Sequence, residues 1–329
     1  MDIAEMVALS VKQNASDLHL CSGHLPQWRC QGRLQPIPER PILPPEQLQQ
    51  WAHNVLDSRQ QAQLKLHGHV DFALSLPAAR VRANLFCQQQ GLSLALRPLP
   101  GEARSLETLD VPAAVKQALR CEEGLILVTG ATGSGKSTTL TAMIDHLNRT
   151  QALHIITLED PIEFQHRSDC ALIQQREINE HCASFQQGLL AALREDPDVI
   201  LLGELRDVES IRLALTAAET GHLVLATLHA RHAAQAIDRL VEVFPAQEKA
   251  FARLLLAGSL RAVIAQRLVP AAQDARVALY EVLLNTPAVA NLIREDKVHQ
   301  LPALMESGQR SGMQTFAQSL AQRQREGWL

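Results

Sequence analysis

The stretch GLILVTGATGSGKSTTL, Gly124 to Leu140, decides the fold. Leu125 to Thr129 is a short continuous apolar run, as expected of a strand buried on both faces. Gly130 to Ser137 then matches the spacing GxxxxGKS/T, and Thr138 to Leu147 has a helical pattern. A strand, a glycine-rich turn and a helix in that order allow the amides of Gly130, Thr132, Gly133, Ser134 and Gly135 to converge on a polyphosphate. The positive end of the helix dipole, at Thr138, points the same way. At this spacing Lys136 reaches the β- and γ-phosphates and Ser137 ligates the divalent ion that accompanies them.

Working outward, DPDVILLGE places four apolar residues, Val199 to Leu202, before Glu204. That puts a carboxylate at the C-terminal end of a buried strand, the edge at which open α/β sheets hold ligands. Glu204 is therefore a candidate to hold the metal. A third strand end, ITLEDPIEF, supplies Glu159, Asp160 and Glu163, and one of the three is the candidate to orient or deprotonate an attacking water. His222 and His229 flank a fourth run, LVLATL; either is a phosphate sensor or a satisfied core histidine.

These apolar runs, separated by helical stretches at Phe185–Arg194 and Val208–Thr220, predict an α/β domain with a parallel central sheet over residues 113–329, helical beyond about residue 286. Ser184 followed by Gln187 and Thr286 followed by Pro287 are expected helix starts. Residues 1–98 read differently. Leu48, Trp51, Val55 and Leu56 recur at helical spacing after Pro45. Three alternating segments follow, with Val70, Phe72 and Leu74, then Val81, Ala83, Leu85 and Cys87, then Leu92, Leu94 and Leu96 facing inward. This is a smaller α+β domain, joined through a linker at 99–112 that carries two prolines and a glycine.

Composition narrows the function classes. The chain has 329 residues, 46% apolar and 20% charged, with a net charge of −4, so disorder is excluded and no basic footprint for nucleic acid is present. Only three Trp, one Tyr and seven Phe are available to stack on bases. Six cysteines without a CxxC pair argue against a zinc ribbon and fit reduced thiols. No apolar run reaches the ~18 residues of a membrane span. A cytoplasmic protein without membrane insertion is expected.

Taken together, ASDLHL, GATGSGKSTTL, ITLEDPIEF, REDPDVILLGELRD, ETGHLVLATLH, FPAQEK and NLIREDKVHQ resemble, in collinear order, the type II/IV secretion and type IV pilus ATPase superfamily, and within it the pilus-retraction (PilT) branch. The resemblance implies a homo-hexameric, ATP- and Mg2+-dependent motor. Each subunit pairs a PAS-like N-terminal domain with a RecA-like P-loop ATPase domain and acts on an inner-membrane platform protein of a pilus or secretion system. It also implies that Glu163 is the catalytic carboxylate, that Glu204 is an acid at the Walker B position serving the metal with Ser137, and that His222 and His229 form a histidine pair. Arginines of the N-terminal domain, with Arg80, Arg82 and Arg97 as candidates, would reach the nucleotide, and hydrolysis would change the angle between the domains at the linker. AVANLIRE, Ala288 to Glu295, matches a segment of the retraction branch except that Ala290 replaces an arginine; Ala131 and Ala230 are two smaller departures. Two other readings are a poorly hydrolysing regulatory nucleotide-binding protein and a nucleic-acid translocase.

Overall fold

In a computed structural model, which describes residues 2–99, 101, 103–271 and 276–329, alternating and continuous apolar runs give two different sheets. The chain divides into two units. The first is Met1–Glu102 with Pro161–Phe164; the second is Ala103–Asp160 with Gln165–Leu329.

In the first unit α1 (Ile3–Lys12) is capped by the Asp2 carboxylate, which accepts from the Ala4 amide, and it buries Ile3, Met6 and Val7. The strands β1 (Asp17–Cys21), β2 (Gln27–Cys30), β3 (Arg33–Pro36), β4 (His69–Ser75), β5 (Arg80–Gln88) and β6 (Gly91–Pro98) form an antiparallel sheet in the order β3-β2-β1-β6-β5-β4. Between β3 and β4 lie α2 (Pro45–Val55) and α3 (Ser58–His67). The alternating residues of β4 to β6 face the core as expected, with Val81, Ala83 and Leu85 fully buried. Cys87 is the exception and is exposed, because it sits where β5 gives way to the turn into β6 and the covered face has ended. β2 and β3 lack the apolar alternation that would announce them; none of their residues is buried.

The second unit carries the loop. Its strands are β7 (Gly124–Thr129), β8 (His154–Glu159), β9 (Leu172–Glu177), β10 (Val199–Leu202), β11 (Leu223–Leu228), β12 (Leu260–Pro270) and β13 (Arg276–Leu284). They lie in the order β13-β12-β7-β11-β10-β8-β9. The pairs from β12 to β9 are parallel, and β13 adds an antiparallel edge that the parallel reading omitted. Every residue of β7, β10 and β11 is buried, because helices cover both faces. Leu125, Leu127, Ile200 and Val224 join one apolar cluster, while Ile126, Val128, Val199 and Leu225 join the other. Each fully buried aliphatic side chain contributes about 1.5–3 kcal/mol relative to an exposed one.

Around the sheet lie α4 (Ala113–Ala118), α5 (Lys136–Thr150), α6 (Phe185–Ala192), α7 (Val208–Glu219), α8 (Ala233–Glu242), α9 (Lys249–Ser259), α10 (Pro287–Arg294), α11 (Leu301–Ser307) and α12 (Phe316–Arg325). Ser184 accepts from the Gln187 amide and Thr286 from the Val289 amide, so both expected helix starts are capped. Within the 99–112 stretch, Pro100 and Glu102 lie outside the described residues. Leu106 and Val111 are buried at 1% and 5% exposure against Val115, Ile126 and Met143 of the second unit. Their apolar side chains hold residues 105–111 to that unit.

Candidate functional site

The phosphate loop leaves β7 and enters α5 through glycines in conformations closed to other residues. Gly130 has φ +152° and Gly135, the residue before α5, has φ +92°. A Cβ on Gly130 would stand 2.4 Å from the Ser134 hydroxyl and from the Gln266 carbonyl; one on Gly135 would stand 2.7 Å from the Gln266 amide nitrogen. The loop is thus closed around its own backbone and must be glycine at both points. The Lys136 ammonium is held over it by the Gly130 and Ala131 carbonyls, at 2.9 and 3.1 Å.

Two observations fit this cradle to a polyphosphate. The Ser134 hydroxyl is buried with no hydrogen-bond partner among the described residues, an arrangement that costs about 1–3 kcal/mol unless a ligand or water satisfies it. Gly133 and Gly135, both at positive φ, also let the loop turn tightly into the start of a fifteen-residue helix, whose N-terminal end carries partial positive charge. Ser137 and Thr138, on the first turn of α5, are exposed. Among the described residues no cluster of three or more His, Cys, Asp or Glu is arranged to enclose a metal. A divalent ion here would be held by the Ser137 hydroxyl, Glu204 and phosphate oxygens, the open coordination typical of Mg2+ bound with a nucleotide.

At the same sheet edge Thr129, the last residue of β7, donates to the Leu228 and Ala230 carbonyls at 3.0 and 2.7 Å and accepts from the Ala230 amide, so the ends of β7 and β11 are locked together. The Thr227 hydroxyl donates to the Gly203 carbonyl and the Leu205 amide to the Thr227 carbonyl, which docks the end of β10 on β11. These ties bring His229 to Glu204: the imidazole Nε2 lies 3.1 Å from Glu204 Oε1. The second carboxylate oxygen of Glu204 accepts from Arg206, at 2.8 Å from Nε and 2.6 Å from the terminal nitrogen. That pairing holds the Arg206 pKa above its ordinary value.

Burial, with the charge of Lys136, pushes the His229 pKa below the ordinary histidine range, although Glu204 opposes it. The neutral ring then donates from Nε2 to the carboxylate. Arg239 donates to the His229 carbonyl at 2.7 Å and, with Ala131, Ala230, Arg231 and Gln235, lines a cleft of about 440 Å³ beside the loop. The edge therefore holds an ammonium, a guanidinium pair, a carboxylate and a neutral imidazole around one glycine cradle, a set able to bind phosphate charge and hold water near it.

The other expected residues separate. Glu159 accepts from Thr157 at 2.7 Å and from Gln175 at 3.1 Å, which occupies one of its oxygens in holding the end of β8. Asp160 lies in the field of Arg206. His222 is not at this edge: it precedes β11, where Leu223 is paired with Gly124 at the start of β7, and its Nδ1 contacts the Ala217 carbonyl at 3.1 Å. Roughly 20 Å of extended strand separates it from His229. Flanking the same strand places the two histidines at opposite ends of it, and His222 lies in the α7–β11 connection, away from the loop edge of this chain.

Glu163 belongs to the Pro161–Phe164 segment that groups with the first unit, where the Ile162 carbonyl accepts from Arg80 at 3.1 Å. Arg82 and Arg97 are directly opposed on β5 and β6. Arg97 pairs with Asp17 at 2.7 Å; burial pushes that carboxyl up, but the Arg97 and Ser16 hydrogen bonds outweigh it and leave its pKa below the ordinary value.

Arg206, Arg239 and Gln266 were not anticipated. Arg206 had a signal, its position two residues after Glu204 in GELRD. So did Gln266, a lone amide within the apolar run AVIAQRLV of β12. Arg239 is an ordinary arginine of an amphipathic helix, α8, with no local mark.

A P-loop on a mainly parallel sheet, with an acid at the end of the next strand but one, defines a RecA-like P-loop ATPase. The chain belongs to the type II/IV secretion system protein family, whose model matches residues 1–276. It is 58% identical to the uncharacterized protein YggR of Escherichia coli K12, each chain covered in full. It is 47% identical over 317 residues to the type IV pilus retraction ATPase PilT of Pseudomonas aeruginosa, covering 96% of this chain and 92% of that one. Among solved structures, the pilus retraction motor PilT with bound ADP superposes with a TM-score of 0.93 at 41% identity, over 100% of this chain and 94% of the other. Among the described residues no helix is long and apolar enough to cross a membrane.

Proposed function

We propose that this chain is an ATP-hydrolysing motor of the pilus-retraction type, working as a homo-hexamer on the platform of a type IV pilus or a related secretion system at the cytoplasmic face of the inner membrane. The observation that carries the reading is the pairing of the Ser134 loop, with its unsatisfied buried hydroxyl, and the Glu204–His229 pair at one strand edge. The similarity to PilT over nearly the whole of both chains supports the biological role. Bound Mg2+ would supply positive charge that offsets the charge of the phosphates.

Lys136 and the loop amides grip the phosphates, while Ser137 and Glu204 would hold the ion. His229 keeps Glu204 oriented and Arg206 fixes its second oxygen. Glu163 is the base toward water, and Arg82 and Arg97 are the arginines that answer charge developing on the phosphoryl group. The domain division proposed for this motor is 1–98, 99–112 and 113–329.

The test is Mg2+-dependent ATP hydrolysis by the wild type and by Lys136→Ala, Glu163→Ala and Glu204→Ala. Each substitution is expected to lower turnover by about a hundredfold or more, the effect of removing a single electrostatic catalyst. Activity surviving in all three would end the assignment. A regulatory, slowly hydrolysing role is favoured by one observation, the burial of Ala290 at 8% exposure where the retraction segment otherwise resembled carries arginine; brisk turnover of the wild type excludes it.

A further inference from the structure

On the side of the phosphate loop away from His229, a line of buried polar side chains runs through the second unit. β12 flanks β7 on that side as β11 does on the other. Gln266 of β12 and Tyr280 of β13 are directly opposed across the antiparallel pair, so their side chains share a face. Thr139, in the first turn of α5, lies between the loop and both. Thr139 and Tyr280 have no exposed surface and Gln266 has 4%.

The Thr139 hydroxyl donates to Gln266 Oε1 at 2.7 Å. The Tyr280 hydroxyl lies against Thr139 and donates to the Leu109 carbonyl at 3.2 Å. Burial, eased by Thr139, pushes this phenol up to about 12, so it remains a donor throughout the working pH range.

The two ends of this line are mechanically distinct. At one end Gln266 closes on the cradle through its main-chain carbonyl, beside Gly130, and its side-chain amide nitrogen, beside Gly135. At the other end Leu109 belongs to the 105–111 turn, which lies in the second unit a few residues after its start at Ala103. That turn is fixed by the buried side chains of Leu106 and Val111 and by Arg323, which donates to the Asp110 carbonyl at 3.1 Å. Three polar residues inside an otherwise apolar core are costly unless each is matched, and here each is matched by the next.

We propose that Gln266, Thr139 and Tyr280 are positioning residues for the phosphate loop, and that they couple the nucleotide state of the loop to the 105–111 turn. The proposal rests on the reading of the loop as an ATP site. Phosphate bound to the loop amides draws on the first turn of α5, which carries Thr139. Thr139 acts on Gln266 through its hydrogen bond and on Tyr280 by contact, and Tyr280 holds the Leu109 carbonyl. Packed polar contacts of this kind switch between discrete arrangements and do not stretch continuously.

Tyr280 is the single tyrosine of the chain, so full-length protein containing 3-fluorotyrosine gives one 19F resonance. The experiment titrates it with ADP and with a non-hydrolysable ATP analogue plus Mg2+, while a fluorescent nucleotide reports binding in parallel. The resonance is expected to shift as nucleotide saturates. Thr139→Ser, which keeps the hydroxyl, is expected to retain the shift. Thr139→Val and Gln266→Leu are expected to lose it while binding nucleotide some 3- to 10-fold more weakly, the scale of one hydrogen bond. Tyr280→Phe is expected to leave KM within about twofold and to lower kcat several-fold, a split that loss of packing alone does not give. A wild-type resonance that stays still while nucleotide binds overturns the proposal and leaves the ATP site standing, as does an equal shift in Thr139→Val. Failure of the wild type to bind nucleotide overturns both.

Discussion

Glu204 and His229 meet at 3.1 Å, one just beyond β10 and the other just beyond β11. Neither strand end is free to move alone: the Thr227 hydroxyl ties it to Gly203, and Thr129 ties it to β7. The Glu204 carboxylate is thus oriented by two partners, a neutral imidazole on one oxygen and Arg206 on the other.

Residues that act as a unit do not contribute additively. Glu204→Gln and His229→Asn are expected to lower ATP turnover separately, and the double variant to be little worse than Glu204→Gln alone, with a coupling of about 0.5–3 kcal/mol. Steady-state kinetics on the four proteins measure it. Strict additivity would show that the contact does not orient the carboxylate.

Gly135→Ala adds one methyl group to a residue at φ +92° and sets it 2.7 Å from the Gln266 amide. The expected result is a folded protein, with thermal unfolding lowered by a few degrees, whose nucleotide affinity falls at least about tenfold because the loop amides no longer converge. Fluorescent-nucleotide titration is the readout, and unchanged affinity would contradict the cradle geometry.

Arg82 and Arg97 are both exposed, and the Arg97–Asp17 pair lies at the surface, where such pairs contribute at most about 1 kcal/mol. Arg82→Ala and Arg97→Ala are therefore expected to leave stability within about 1 kcal/mol of wild type. Their ATPase activity is expected to fall by about tenfold or more if they answer phosphoryl charge. Denaturant titration and kinetics together separate the two effects. Full activity in both variants would make the arginines a solvated strand face.

Stability should fall in mild acid. Burial, against a smaller opposing influence of Asp145, pushes the His166 pKa down to about 4, and burial with Lys136 also lowers that of His229. A histidine whose pKa is lower folded than unfolded is neutral in both states above about pH 6.5, so nothing is lost there. As pH falls below that value the unfolded chain takes up the proton first, and stability declines until the folded pKa, about 4 for His166, is passed. Urea midpoints at pH 7.5, 6 and 5 should decrease in that order, less steeply in His166→Asn; a midpoint independent of pH over this window would refute the assignment.

Local pattern was enough for the parts that local physics governs. The loop at Gly130–Ser137, the buried runs before it and at Val199–Leu202, and the acid that follows at Glu204 were legible because a two-sided buried strand must be continuously apolar and a phosphate turn must be glycine-rich. The alternation of β4, β5 and β6 was legible because a sheet with one covered face buries every second residue. β2 and β3 were not, since no residue in either is buried and nothing apolar repeats.

The chain sequence by itself determined that a phosphate loop exists, on which strand it sits and which acids accompany it. Only the tertiary structure decided which histidine lies beside it. His222 and His229 look equivalent in ETGHLVLATLH, but a strand has two ends, and the parallel pairing of β11 with β7 and β10 carries His229 to the loop edge and His222 to the opposite one. The partners of Glu204 and the line from Gln266 to Leu109 were decided the same way, by strand order and register. These place residues far apart in the chain within hydrogen-bond distance, and no short-range periodicity records them.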